Sequence, residues 1–342
     1  MNNRNLVSMG TVCVALLVSG MTLNAEERGR SLKIIEVKRI WDKAPHNAFT
    51  DLVRFNDRWF CAFREGRSHV SDDGKVRVIR SEDGVEWRSV ALMEWDGGDV
   101  RDPKLSITAT GQLMLNGAVR FLQPVDGNRH QSVTWLSDNG ENWSKPFACA
   151  SGLGTWRWSV TWHKGVAYSF GYSGKDKGGC LYSSKDGKTW ETIKAKVYPE
   201  GEYGANETSL LFLENDTAYC LLRRDVGSRA TGLLGISNPP YTDWEWKCLG
   251  VRIGGPKMIR LSNGRLLAAV RLYGGEGWQP AHTSLGWIHP ESGRFTEALK
   301  LPSGGDTSYA GLVLYEDLLW VSYYSSHKGK TAIYLTKVKI DM

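Results

Sequence analysis

The sequence is short of several things, and each shortage excludes something. Of its six cysteines, Cys13 lies in an apolar leader. Cys61, Cys149, Cys180, Cys220 and Cys248 remain, an odd number at wide, irregular spacing. That argues against a disulfide framework and leaves free, buried thiols as the expectation, with Cys61 and Cys220 set in the strand-like runs WFCAF and AYCLL. No CxxC or HExxH pattern occurs and the seven histidines are scattered, so neither a metal nor another cofactor is expected. Lys and Arg total 43 against 37 Asp and Glu, with no basic run that would serve as a nucleic-acid arm. Beyond the leader there is no helical periodicity of useful length and no second long apolar run, so no membrane span is expected in the mature chain.

The leader has its own pattern. Arg4 precedes an apolar stretch from Leu6 to Leu23, and Asn24-Ala25 stand before Glu26-Glu27. This reads as a secretory signal peptide over residues 1–25, which implies a secreted or periplasmic protein. Residues 26–342 are expected to form a single domain and to act as a monomer.

What is abundant is tryptophan, 15 residues, and it recurs in register. SEDGVEW (Ser81–Trp87), SDNGENW (Ser137–Trp143) and SKDGKTW (Ser184–Trp190) share one form, and degraded copies follow at Ser237–Trp244 and His289–Phe295. Their starts lie 56, 47, 53 and 52 residues apart. Each unit also holds a turn between two short runs rich in β-branched and aromatic residues, such as LMLNGAV and LWVSYYSS. A mature chain divided at this period yields about six units of two hairpins each, the pattern of an all-β, six-bladed β-propeller. The Ser-Asp-Gly-Trp turn is then a structural device in which Asp and Ser bond the turn backbone.

Propellers bind ligands where equivalent positions of the blades converge. Counting seven residues forward from the second residue of each turn gives Arg64, Ala118, Tyr172, Arg223, Arg271 and Tyr324. Three arginines, each ending an apolar strand, suit an anion clamp, because the guanidinium offers a fixed fork of donors to a carboxylate. Counting back eight or nine gives Asp102, Glu207 and Tyr309 at the starts of the partner strands, with Arg101 beside Asp102. Acids and a tyrosine next to a cationic ring are a candidate catalytic set.

With these turns, six units and the arginine ring, the chain resembles the sialidase (neuraminidase) superfamily, whose repeat turns are called Asp boxes. NETSLLFLENDTAYCLLR resembles the family segment that supplies Glu207 and Arg223, and SYAGLVLYEDLLWVSYYS the segment with the nucleophilic tyrosine, Tyr309. FREGR resembles the stretch that gives Arg64 and Arg67, and DPKL the second-blade start that gives Asp102. The family's first clamp arginine has no counterpart from His46 to Leu52, and Arg64 is expected to substitute. The resemblance implies retaining hydrolysis of a terminal carboxylated sugar, sialic acid or a related one, from a glycan. Tyr309 would attack, Glu207 would take its proton, and Asp73, Asp72 or His69 would act as acid/base. Arg64, Arg67, Arg223, Arg271, Arg101, Asp102, Tyr172 and Tyr324 would hold substrate. Two alternatives stay open: a polysaccharide lyase on uronate polymers, with His69 and Tyr309 or Tyr172 moving protons, and a non-catalytic glycan-binding propeller.

Overall fold

The computed structural model describes residues 31–173, 178–199, 204–225, 230–275 and 277–341. The expected signal peptide and the start of the expected domain lie outside them. The described residues form six antiparallel sheets in chain order, a six-bladed β-propeller. The helical content among them is one three-residue turn, Ala150–Gly152. The ring closes where the first described strand, Leu32–Trp41, pairs with the last, Ala332–Ile340, so that these two strands share one blade.

Apolar residues on both faces of each sheet fill the space between blades. Phe60, Val76 and Val78 of the first blade pack with Leu105, Leu115 and Trp135 of the second, and Trp59 stacks on Trp320 across the closing seam at 4.3 Å. The repeat turns hold one geometry. In each of the three regular copies the serine hydroxyl accepts the glycine amide at 2.8 Å. The Asp or Asn side chain accepts the next two amides. The indole then donates back to the glycine carbonyl at 3.1–3.2 Å. The degraded copy keeps the last contact, Trp244 to the Tyr241 carbonyl at 3.0 Å. The five described cysteines form no disulfide with one another, and the expectation that they are buried holds only for Cys61 and Cys220; Cys248 is exposed.

The innermost strands share a second repeated feature that the turns do not mark. In five of the six blades the register between the first two strands slips by one residue, at Ala48/Asp51, Arg101/Lys104, Ala205/Thr208, Gly254/Lys257 and Ser308/Gly311. These are β-bulges at one end of the channel, and a bulge re-aims side chains. In four of them the first extra residue has a left-handed backbone: Phe49, Asp102, Gly255 and Tyr309, with φ of 62°, 50°, 54° and 52°. For the three that are not glycine this costs on the order of 1 kcal/mol or more each. At Gly255 the glycine is also needed for space, because a Cβ there would stand 2.9 Å from the Tyr309 backbone nitrogen.

Candidate active site at the bulged end of the channel

Tyr309, Glu207 and Arg223 meet there. The Tyr309 hydroxyl donates to Glu207 Oε1. Arg223 Nη1 donates to the same Oε1 at 2.5 Å and to the Tyr309 oxygen at 2.9 Å. Glu207 Oε2 accepts the Gly255 amide of the neighbouring blade at 2.7 Å. All three side chains are buried. Burial pushes the Glu207 carboxyl up, but the Arg223 charge and the hydrogen bonds from Arg223, Tyr309 and Gly255 outweigh it, and Glu207 is held below the usual carboxylate range. Burial and then the Glu207 charge drive the Tyr309 phenol well above its ordinary value, so it is neutral. The pair is therefore a neutral phenol already hydrogen-bonded to an ionised carboxylate, the arrangement of a nucleophile with its base.

Arg271 flanks the phenol, its guanidinium carbon 5.3 Å from the Tyr309 ring centre. Its Nε donates to the Thr307 carbonyl and its Nη2 to the Tyr324 hydroxyl, both at 2.7 Å. Tyr324 passes the contact on to Asp306 Oδ1 at 2.7 Å. Among the described residues, Arg223 Nη2 and Arg271 Nη1 have no hydrogen-bonding partner, so two buried guanidinium groups each keep a donor corner free. Trp278, 53% exposed, lies 5.5 Å from the Arg223 guanidinium carbon. Tyr172 is close enough for the Glu207 and Asp102 charges to act on it, and burial first, then those charges, raise its phenol well above the ordinary value.

Asp102 sits at the bulge position that Tyr309 holds in its own blade, and it forms no hydrogen bond or ion pair with described residues. Burial raises its carboxyl above the ordinary value, and the opposing charge of Arg101 does not cancel this. The count back from the turns put Asp102 and Tyr309 one residue out of step. The hairpin turns explain it: two residues in the first and last blades (Phe55↔Arg58, Tyr315↔Leu318) and five in the second, fourth and fifth. The arginine ring is misnumbered in the fourth blade for another reason: five residue pairs separate its bulge from its turn, against four in the second and fifth blades, whose turns have the same length. Arg64, Ala118, Arg271 and Tyr324 pair with the residue just before the bulge, but in the fourth blade Arg224 does so, not Arg223. Arg223 stands opposite the bulge itself.

Other expected residues lie elsewhere. Arg64 does not join Arg223 and Arg271. It is fully buried and its donors are taken by Asp99 Oδ1 (2.7 Å), the Ser68 carbonyl (2.9 Å) and Ser71 Oγ (2.9 Å). The physical reason is Asp99, a buried carboxylate that captures the guanidinium before the channel can. Arg67 is exposed and pairs with Asp73 at 3.4 Å, and Asp72 pairs with Arg120 at 2.6 Å. These three line the outer loop without contact to Tyr309. Arg101 donates to Asp99 (3.3 Å) and to the His69 carbonyl (3.2 Å), with its guanidinium carbon 5.2 Å from the Phe49 ring centre. His69 lies at the rim on Asp306, and the Phe49 ring stands next to both His69 (5.0 Å) and Tyr309 (5.2 Å).

Several residues near this end escaped sequence reasoning. Phe49 and Asp306 belong to no motif, although Phe49 falls at the same count as Tyr309. Below the phenol, Lys104 is buried with its ammonium 5.6 Å from the Tyr309 ring centre and 5.4 Å from Trp158. Lys257 pairs with the buried Asp51 at 3.1 Å. The Pro beside Asp102 and the apolar runs around these lysines masked them.

No protein-family model matches the chain, and no curated protein sequence matches it. The fold is shared with solved structures at low identity. A protein of unknown function from Dyadobacter fermentans superposes with a TM-score of 0.77 at 18% identity, covering 91% of this chain and 99% of that one. A sialidase from Trypanosoma rangeli gives 0.65 at 11% identity over 90% of this chain, which spans 59% of that longer protein. An α-L-arabinanase from Penicillium chrysogenum, solved with arabinobiose, gives 0.65 at 14%, covering 89% of this chain and 98% of that one. The propeller is thus one that also occurs in glycosidases, and a fold by itself fixes no substrate.

Proposed function

We propose that the protein is an exported glycoside hydrolase that removes a terminal carboxylated sugar from a glycan with retention of configuration. The single observation that carries this is the buried trio Tyr309–Glu207–Arg223, with Arg271 beside it. An anomeric carbon bearing a carboxylate repels an anionic nucleophile, and a neutral phenol whose proton passes to an adjacent carboxylate avoids that cost. The free donor corners of Arg223 and Arg271 would take the substrate carboxylate. Asp102, whose carboxyl burial raises above the ordinary value, would give its proton to the leaving oxygen and then activate the water that breaks the glycosyl–tyrosine bond. The lyase reading needs an imidazole working with the phenol, and His69 is turned to Asp306 instead.

The test is hydrolysis of a panel of fluorogenic glycosides with terminal sialic, uronic and ketodeoxy acids. Turnover of at least one is expected, with Tyr309→Phe losing on the order of a thousandfold in kcat, about 4 kcal/mol. Equal rates for wild type and Tyr309→Phe, or no turnover of any acid sugar, overturn the reading.

A further inference from the structure

Outside the trio, three potential ligands from distant parts of the sequence converge at the rim. His46 lies at the start of the first blade's inner strand, His69 on the loop that follows that blade's second strand, and Asp306 just before the last blade's inner strand. Their ligand atoms all lie within 4.8 Å of one another. His46 Nε2 is 2.9 Å and His69 Nδ1 2.7 Å from the same carboxylate oxygen, Asp306 Oδ2. The two rings stand 5.6 Å apart and 72° to one another. We propose that His46, His69 and Asp306 bind one divalent transition-metal ion, zinc being the best match to two imidazoles and a carboxylate.

Four observations support a metal rather than a hydrogen-bonded cluster alone. Both imidazoles turn a nitrogen to one carboxylate oxygen, so three potential ligand atoms are already gathered in one place. Ligand atoms about 2.0–2.2 Å from zinc in a tetrahedron stand roughly 3.3 Å apart, so each imidazole would part from the carboxylate by about half an ångström, while the two ring nitrogens, within 4.8 Å of one another, settle to the same separation. The carboxylate is held in place from behind: the Tyr324 hydroxyl donates to its Oδ1 at 2.7 Å, and the Asp306 amide donates to Ser326 Oγ at 2.9 Å. Such outer hydrogen bonds orient metal ligands. His46 is buried, whereas the His69 side chain is 44% exposed, so a fourth position faces solvent at the channel rim. Mg2+ and Ca2+ prefer sites built of oxygens, and the two nitrogens select against them. Arg271, whose Nη2 lies 3.6 Å from Asp306 Oδ1, opposes a second positive charge and weakens the site without entering it.

The consequence is mechanical. His69 is the member on the 67–73 loop, so the ion would tie that loop to the first and last blades beside the channel mouth. The proposal does not rest on hydrolysis, because the ligands are distinct from Tyr309, Glu207 and Arg223.

The test uses the full chain, stripped with chelator and titrated with zinc chloride in a calorimeter, with metal content measured after desalting. One zinc per chain is expected, with a raised thermal midpoint that chelator reverses. His69→Ala, an exposed change that leaves the fold intact, should abolish both effects. His282→Ala, which alters a histidine paired with Glu297 on another blade, should leave both unchanged. Wild type that retains no zinc overturns the proposal, as does a His69→Ala protein that still binds one equivalent. Magnesium or calcium chloride displacing the zinc would also contradict the ligand assignment.

Discussion

Arg64 and Arg271 occupy one register position in their blades, each paired with the residue just before a bulge, yet they do opposite things. Arg64 lies beneath a loop, saturated by Asp99, Ser68 and Ser71. Arg271 is held by a carbonyl and a tyrosine hydroxyl, keeps a donor free and flanks Tyr309. The strand delivers a guanidinium to the same place in both blades; the neighbouring acid decides whether it becomes part of the scaffold or remains available to a ligand. Gly74 belongs to the first arrangement, because a Cβ there would collide with Asp99 Oδ1 and Arg64 Nε.

That contrast can be broken from both sides. The largest effect should come from Tyr309→Phe, the phenol that Arg271 serves and Arg64 does not, with the thousandfold loss given above and binding of the acid sugar retained. Arg64→Met should act on stability alone: leaving Asp99 buried without its main partner costs about 3 kcal/mol, read as a lower denaturant midpoint with KM unchanged. Arg271→Leu should do the reverse, weakening binding of the acid sugar by about 2 kcal/mol while the denaturant midpoint moves little. If Arg64→Met raises KM as much as Arg271→Leu does, the division of roles is wrong.

A pH profile sharpens the contrast within the site. Glu207 must be ionised and is held low, so the acid limb of kcat/KM should fall below about pH 4, the ordinary carboxylate range. Asp102 must be protonated and burial raises it, so activity should decline as pH rises through its elevated value. Asp102→Asn should remove that alkaline limb and spare kcat/KM for substrates with activated leaving groups, while their kcat falls because breakdown of the glycosyl–tyrosine bond still lacks its base. The signs for stability are opposite. Glu207, depressed in the folded state, stabilises above its unfolded value and loses that contribution as pH falls through the folded one. Asp102, elevated in the folded state, contributes below its unfolded value and loses that contribution as pH rises through the folded one. The smallest effect is expected at a repeat turn remote from both arginines, where Ser137→Ala should cost about 1 kcal/mol with activity intact, checked by chemical denaturation beside an assay.

The blades were legible because the Ser-Asp-Gly-Trp turns and apolar hairpins are local: each is specified within a few residues of sequence, and six of them leave little choice of architecture. Glu207, Arg223, Arg271 and Tyr309 were reachable because strands of similar length bring like positions to one end. What the count from the turns could not see was the bulge, a one-residue slip with no sequence mark beyond Gly255, the difference between two- and five-residue turns, and the fifth residue pair between bulge and turn in the fourth blade. Hence Asp102 and Tyr309 fell out of step and Arg223 took the place of Arg224. Arg64 failed for another reason, since its fate depends on Asp99, 35 residues away on the neighbouring blade. His46 and His69 carried a usable signal: His46 pairs with Gly66, which places residue 69 just beyond the same hairpin end. Asp306 had none, because only closure of the ring brings it there.

The most direct measurement is covalent trapping. Incubation with a fluorinated acid-sugar donor that slows breakdown of the glycosyl–enzyme bond, followed by intact-mass and peptide analysis, should place one sugar on the Tyr309 oxygen in the wild type and none in Tyr309→Phe. A sugar on Glu207 or Asp102, or turnover that leaves no adduct under conditions that trap the intermediate, would contradict the account.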